Sequence, residues 1–257
     1  MSEPIHLVKV PLRVDRLVAA TRSRGLSLRE IDEGYLAHVV MRQLWKEHAP
    51  APFVLRAHGR MLDAWGYSPT DAGALVERAN ACGDPSLVGV LGDLEMIASK
   101  PMPYFEKGRR IGFVVRACPV VRLVNARNGH RTGAEVDAFL ARCFALGKQA
   151  PVSREDVYRE WLRKMTSRPD ATGVSVLRVG VAAMSRGRFV RRTHAQAREM
   201  HRLARPDVTF EGEMVVEHGE KLRTYLGHGV GRHRAFGFGA LMLTPPGAGA
   251  ELARSSC

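Results

Sequence analysis

Residues 229–239 read Gly229-Val-Gly231-Arg-His-Arg-Ala-Phe-Gly237-Phe-Gly239, and this stretch decides between two kinds of fold. A paired GxG invites a dinucleotide-binding loop, which needs a strand before the glycines and a helix after them. Here the order is reversed. Residues 218–226 predict a short helix leading in, and 235–243 a strand leading out, so the dinucleotide reading fails. What remains is a loop whose four glycines, Gly229, Gly231, Gly237 and Gly239, permit positive φ and close backbone approach. Arg232, His233 and Arg234 sit between them and can offer guanidinium forks and N–H groups to phosphates. The plainer alternative is a tight turn before an edge strand, with the glycines there for geometry only.

Upstream of the loop the pattern is strand, helix, strand, strand, helix, strand, given twice. In the first half, IHLVKVPL (5–12) alternates as a strand, and a basic stretch follows from Arg13 to Arg24. Ser27 and Glu30 have capping-box spacing and predict a helix running to about Glu47. Strands at 52–57 and 60–66 meet at a His58-Gly59 turn, a helix spans 69–80, and a last strand falls within 91–98. In the second half, a strand at 111–118 precedes helices at 133–146 and 153–167. Strands at 174–183 and 208–217 follow, then the helix and strand that flank the loop. The expected fold is α+β, with tandem ferredoxin-like halves (RRM-like, RAMP) carrying a helical and Arg-rich elaboration in the second. The expected domains are 1–105 and 106–245, with a disordered tail at 246–257.

Composition points to a polyanion partner. The chain has 257 residues, 39 Lys+Arg against 26 Asp+Glu and a formal net charge of +13. Each phosphate neutralised by such a surface releases condensed counterions. Residues 186–205 carry seven arginines, one acid and no lysine. Arg186, Arg188, Arg191, Arg192, Arg198 and Arg202 in this run favour bidentate phosphate or guanine contacts. The run reads as partly helical. Four cysteines are scattered without a CxxC pair, and His194 and His201 have no carboxylates or thiols nearby, so no metal or other cofactor is expected. No signal-peptide layout and no apolar run of membrane-spanning length are present, which predicts a cytoplasmic chain with no membrane partner.

The helix after the first strand contains Tyr35-Leu-Ala-His38. Residues three and four apart share a helical face, so Tyr35, His38 and Arg42 form one stripe beside the apolar face. Imidazole titrates near neutrality and can move protons as base or acid. A phenol can position a reacting oxygen, and a guanidinium can hold a phosphate.

Together, the loop, its place before the last strand and the doubled strand order resemble the CRISPR-associated RNA-binding proteins. Within these, Tyr35-x-x-His38 followed by Leu44-Trp45 is similar to the catalytic helix of the CasE branch, the repeat endoribonucleases of type I-E systems. The longer 133–168 segment departs from that branch and is what a related type IV enzyme would show, so the subtype stays open.

The resemblance implies metal-independent cleavage of precursor crRNA at the repeat stem-loop by 2′-OH attack. The products would be a 5′-hydroxyl and a 2′,3′-cyclic or 3′-phosphate. It also implies a basic hairpin in the second half entering the base of the stem-loop, and CRISPR repeat RNA and other effector-complex subunits as partners. On this reading His38 and Tyr35 are catalytic; Arg42 comes from the helical stripe alone. The alternative is a non-catalytic crRNA-binding subunit of an effector complex.

Overall fold

The computed structural model describes residues 4–22, 32–147, 151–192 and 200–247, with the side chains of 21–22, 188–192 and 200–203 left aside. The first half runs β1 (His6–Arg13), α1 (Val14–Arg22), α2 (Glu33–Trp45), β2 (Phe53–His58), β3 (Met61–Ser68), α3 (Ala72–Cys82), α4 (Pro85–Val88) and β4 (Ala98–Pro101). Its antiparallel sheet has the order β2-β3-β1-β4. The second half begins with β5 (Arg110–Ala117), β6 (Val120–Arg122), β7 (Glu135–Asp137), α5 (Ala138–Leu146), α6 (Arg154–Thr166) and α7 (Pro169–Thr172). It ends with β8 (Val174–Arg192), β9 (Met200–Val216), α8 (Gly219–His228) and β10 (Leu241–Thr244). Its main sheet, β10-β5-β9-β8, repeats the order of the first with every pair antiparallel. Numbered within each half, both sheets read 4-1-3-2, the ferredoxin-like arrangement.

Each half has its own core. α2 buries Leu36, Ala37, Val40, Met41, Leu44 and Trp45 against Val8, Val10, Leu12 and Phe53. The Trp45 indole donates to the Leu75 carbonyl at 2.8 Å. In the second half, Trp161 and Leu162 of α6 and Leu222 and Leu226 of α8 pack on Phe113, Phe210 and Met214. The halves are joined by the buried Tyr67 hydroxyl, which donates to the Leu241 carbonyl at 2.6 Å.

Several sequence expectations are corrected. The basic stretch after β1 contains the helix α1, because Leu17 and Ala20 give it a buried side. Ser27 and Glu30 lie outside the described residues, and α2 is capped by Asp32, whose carboxylate accepts from the Tyr35 N–H at 3.2 Å. Asp is as effective a cap as Ser there. The last strand of the first half is β4, which begins at Ala98, where the expected 91–98 ends. Asp84 and Asp93 each cap a short helical turn in between. Residues 135–137 are strand rather than helix, since β7 pairs with β6 and Asp137 caps α5. The final strand is shorter than 235–243, because 234–236 form a 3-10 turn.

The largest correction concerns the Arg-rich run. Residues 186–192 and 200–205 are strand, not partly helical: β8 and β9 stay paired from Val174↔Val216 out to Arg192↔Met200. Long-range ladder bonds override the helical preference of the alanine- and arginine-rich sequence. Beyond Val208 the ribbon leaves the sheet, since β5 pairs with β9 only over Val208–Val215. The expected disordered tail lies, from residue 248 onward, outside the described residues. No helix among the described residues is long and apolar enough to cross a membrane.

Candidate active site

The glycine-rich segment is a compact structure built into the join between the halves. Gly229, Gly231, Gly237 and Gly239 all have φ between +72° and +84°, and His233 adopts the left-handed region as well, at +63°. The ends of the segment are tied together by the Val230 N–H, which donates to the Gly239 carbonyl at 2.8 Å. The Gly239 N–H donates in turn to the Arg116 carbonyl of β5 at 2.8 Å. A Cβ on Gly239 would lie 2.5 Å from the Val230 oxygen, and one on Gly229 would lie 2.5 Å from Pro52. Side chains are excluded at these crossings by backbone and ring atoms that have little room to yield.

The catalytic-helix candidate lies directly against this segment. A Cβ on Gly34 would come within 2.4 Å of the Phe236 carbonyl oxygen, so α2 and the 3-10 turn touch backbone to backbone. Tyr35 stacks on Phe236 with ring centroids 5.5 Å apart and planes inclined by 25°. His38 follows one turn along the same face, half-buried. Burial, and to a lesser degree the Arg42 charge, lower its imidazole pKa below the ordinary value, so the neutral ring dominates at pH 7.

Arg42 turns toward the end of the helix instead. Its guanidinium donates to the Lys46 carbonyl at 2.7 Å and lines a cavity of about 490 Å³ shared with Arg223 of α8.

The three basic residues of the loop are engaged by the protein itself. Glu135 of β7 receives Arg232 on one carboxylate oxygen at 3.1 Å and meets the His233 Nε2 with the other. The His233 hydrogen bond, with Arg232 in support, brings the Glu135 carboxyl down to about 2 despite burial. Arg234 donates to the His228 carbonyl. His233 also meets Phe236 edge-on, with centroids 6.0 Å apart. Tyr35, Phe236, His233 and Glu135 therefore form a chain of contacts from α2 to β7.

Sequence reading missed Glu135, which lies 98 residues from His233 and carries no local signal. It also missed the Arg116–Asp207 pair, a bidentate contact at 2.9 and 2.6 Å where the β8–β9 ribbon leaves the sheet. Arg116 lies over the Phe238 ring as well. A charge within the apolar strand IGFVVRAC was a signal for that pair, since half-buried guanidinium needs a partner.

Of the hairpin arginines, Arg186 is an exposed residue of β8. Arg188, Arg191 and Arg192 lie on β8 and Arg202 on β9 by backbone, opposite Ala204, His201, Met200 and Val190 respectively. Arg198 and His194 lie outside the described residues, as does the side chain of His201.

Two ferredoxin-like halves, a glycine-rich segment wedged between them and an imidazole-bearing helix against that segment define a doubled ferredoxin-like protein with one composite site. The chain belongs to the CRISPR associated protein family, whose pattern it matches over residues 5–245.

Solved structures agree on the fold. A CRISPR endoribonuclease Cse3 bound to a 19-nucleotide RNA is 21% identical with a TM-score of 0.60, covering 94% of this chain and all of that one. Thermus thermophilus Cse3, bound to an RNA representing a pre-cleavage complex, is 19% identical with a TM-score of 0.56 over 94% of this chain and all of its own. Cas6e from Escherichia coli K-12 is 14% identical with a TM-score of 0.52, covering 94% and 99%. No curated protein sequence matches the chain.

Proposed function

We propose that this protein is a metal-independent endoribonuclease of the CasE branch that binds a CRISPR repeat stem-loop and cuts precursor crRNA. The observation that carries the reading is the stacking of Tyr35 on Phe236, which joins the imidazole-bearing helix and the glycine-rich segment into one surface.

Neutral His38 takes the proton from the ribose 2′-OH as that oxygen attacks the neighbouring phosphorus. The P–O5′ bond breaks and the leaving O5′ takes a proton from solvent, to which His38 later returns the one it removed, leaving a 2′,3′-cyclic phosphate on one fragment and a 5′-hydroxyl on the other. Tyr35 orients the reacting oxygen, and nearby guanidinium groups offset the charge that develops on phosphorus. Arg42 enters that role only by releasing the Lys46 carbonyl.

The β8–β9 ribbon, whose backbone carries Arg186, Arg188, Arg191, Arg192 and Arg202, is the element that meets the stem; Arg198 belongs to the same sequence run. RNA duplexes are held mainly through phosphates and shape, a task suited to such a ribbon. The product stays bound, and the protein serves as a subunit of an effector complex. Three solved structures of the same fold support RNA and effector subunits as partners: one is of a CRISPR RNA-guided surveillance complex, pre-nicking (16% identity, TM-score 0.55), and two are of Cse3 with RNA bound.

Incubation of the purified protein with its cognate repeat RNA in EDTA is the test. Cleavage by wild type and none by His38→Ala, at comparable affinity, supports the enzyme. Tight binding with no product from wild type means a non-catalytic crRNA-binding subunit.

A further inference from the structure

The glycine-rich segment has two flanks. Its 3-10 turn lies on α2. Its first part lies on α6, where a Cβ on Gly231 would come within 2.9 Å of the Trp161 ring. Along this second flank is a cavity of about 510 Å³ bounded by α6, α7, α8 and the segment itself. Lys164, Arg168, His228 and Arg232 line it beside Gly229 and Gly231, and no carboxylate does among the described residues.

Lys164 rests on Glu160 at 2.8 Å and Arg232 on Glu135 at 3.1 Å. Lys164 is exposed and Glu160 half-exposed, with side-chain exposures of 67% and 46%, and ion pairs of that kind are weak enough for the cation to turn to a phosphate. The wall is held firmly. The Trp161 indole donates to the Val120 carbonyl at 3.2 Å, and the Tyr225 hydroxyl of α8 donates to the Met165 carbonyl at 3.4 Å.

We infer that this cavity is a second RNA subsite, which takes phosphodiesters of single-stranded RNA running on from the bond cut at His38. The inference rests on the function proposed above and names a binding wall that the catalytic helix and the arginine ribbon do not supply. Three features support a strand. The cavity has the size of a small-ligand pocket and takes a nucleotide or two rather than a helical stem. It is continuous with the segment that touches α2, so a strand leaving His38 across the glycines arrives here. His228 offers a ring for a base to stack on, and the cations offer phosphate partners.

The experiment uses the full-length protein carrying Lys164→Gln and Arg168→Gln, two exposed positions, beside wild type. Affinity is measured as a function of salt for a repeat hairpin alone and for the same hairpin with single-stranded extensions. On extended RNA, the slope of log K against log[salt] becomes shallower by about 0.7 for each phosphate that the variant no longer neutralises. On the bare hairpin the two proteins coincide. Lys164→Gln alone gives about half the slope change, and an unaltered thermal midpoint verifies the fold.

A slope change of equal size on both RNAs places these residues on the stem and overturns the inference. So does no change on either RNA, or a loss confined to association with an acidic protein subunit. Failure of wild type to bind any repeat hairpin overturns the proposed function itself, and the subsite with it.

Discussion

The β2–β3 hairpin of the first half and the β8–β9 hairpin of the second hold the same place in the same strand order, yet differ in reach. β2 and β3 have six and eight residues and close at Gly59. β8 and β9 have nineteen and seventeen. Both sheets are stable for the same reason, an apolar face packed against helices. Only the second hairpin continues past its sheet, as a two-stranded ribbon with no third strand beside it among the described residues. Such a ribbon is marginal alone, and the Arg116–Asp207 fork braces it at the root. Topology thus supplies a scaffold twice over, and the proposed division of labour comes from what is added to each copy: a reactive helix in one, an arginine-bearing ribbon in the other.

The largest expected effect would break that division at the reactive helix. His38→Ala should slow single-turnover cleavage by roughly 10²–10⁴-fold, the usual worth of a positioned proton-transfer group, with RNA affinity unchanged within about twofold. An affinity loss as large as the rate loss would mean that α2 binds rather than reacts.

A second test bears on the join between the halves. Gly34→Ala ought to lower stability by about 1–3 kcal/mol, as overpacking does, although alanine is the better helix former. Thermal denaturation that shows a gain instead would refute the backbone contact with Phe236. At the ribbon's root, Asp207→Asn leaves the Arg116 guanidinium without its charge partner. It should cost about 1–3 kcal/mol, within the range for a broken charge-assisted bond, and denaturant titration reads it directly.

pH sharpens the comparison further. His38 has a folded pKa below its unfolded value, so the free enzyme's kcat/KM should rise through a midpoint under about 6.5 and then level off. Glu135 has its carboxyl depressed to about 2 by His233. Its contribution is fully present above the unfolded value near 4.5 and is lost as pH falls toward 2. Glu135→Gln should flatten that part of the acid-denaturation curve.

The smallest effect belongs to a single hairpin arginine. Arg186→Ala should reduce the salt slope of RNA binding by about 1 and leave the cleavage rate at saturating protein untouched.

Much of this was legible in the chain. Alternation in 5–12 and 111–118, the His58-Gly59 turn and the reversed order around Gly229–Gly239 suffice for a doubled ferredoxin-like fold. Tyr35 and His38 could be placed on one face from their spacing. The rest depended on contacts that no local pattern carries. The ribbon reads as partly helical because Arg and Ala favour helix, and only the Arg192↔Met200 register makes it strand. Arg232, His233 and Arg234 look ready for phosphate by composition. That Glu135 and the His228 carbonyl already hold them follows from a residue in a distant insertion and from the tightness of the turn.

The glycine-rich segment touches Pro52 and Gly34 of the first half and Trp161 of the second. Its shape is therefore a property of the whole chain. Neither half produced as a separate fragment retains all of these supports, so the segment cannot take its final form until both have folded and docked. A chain that lacks either half therefore lacks the assembled contact between α2 and the segment, on which the proposed site depends.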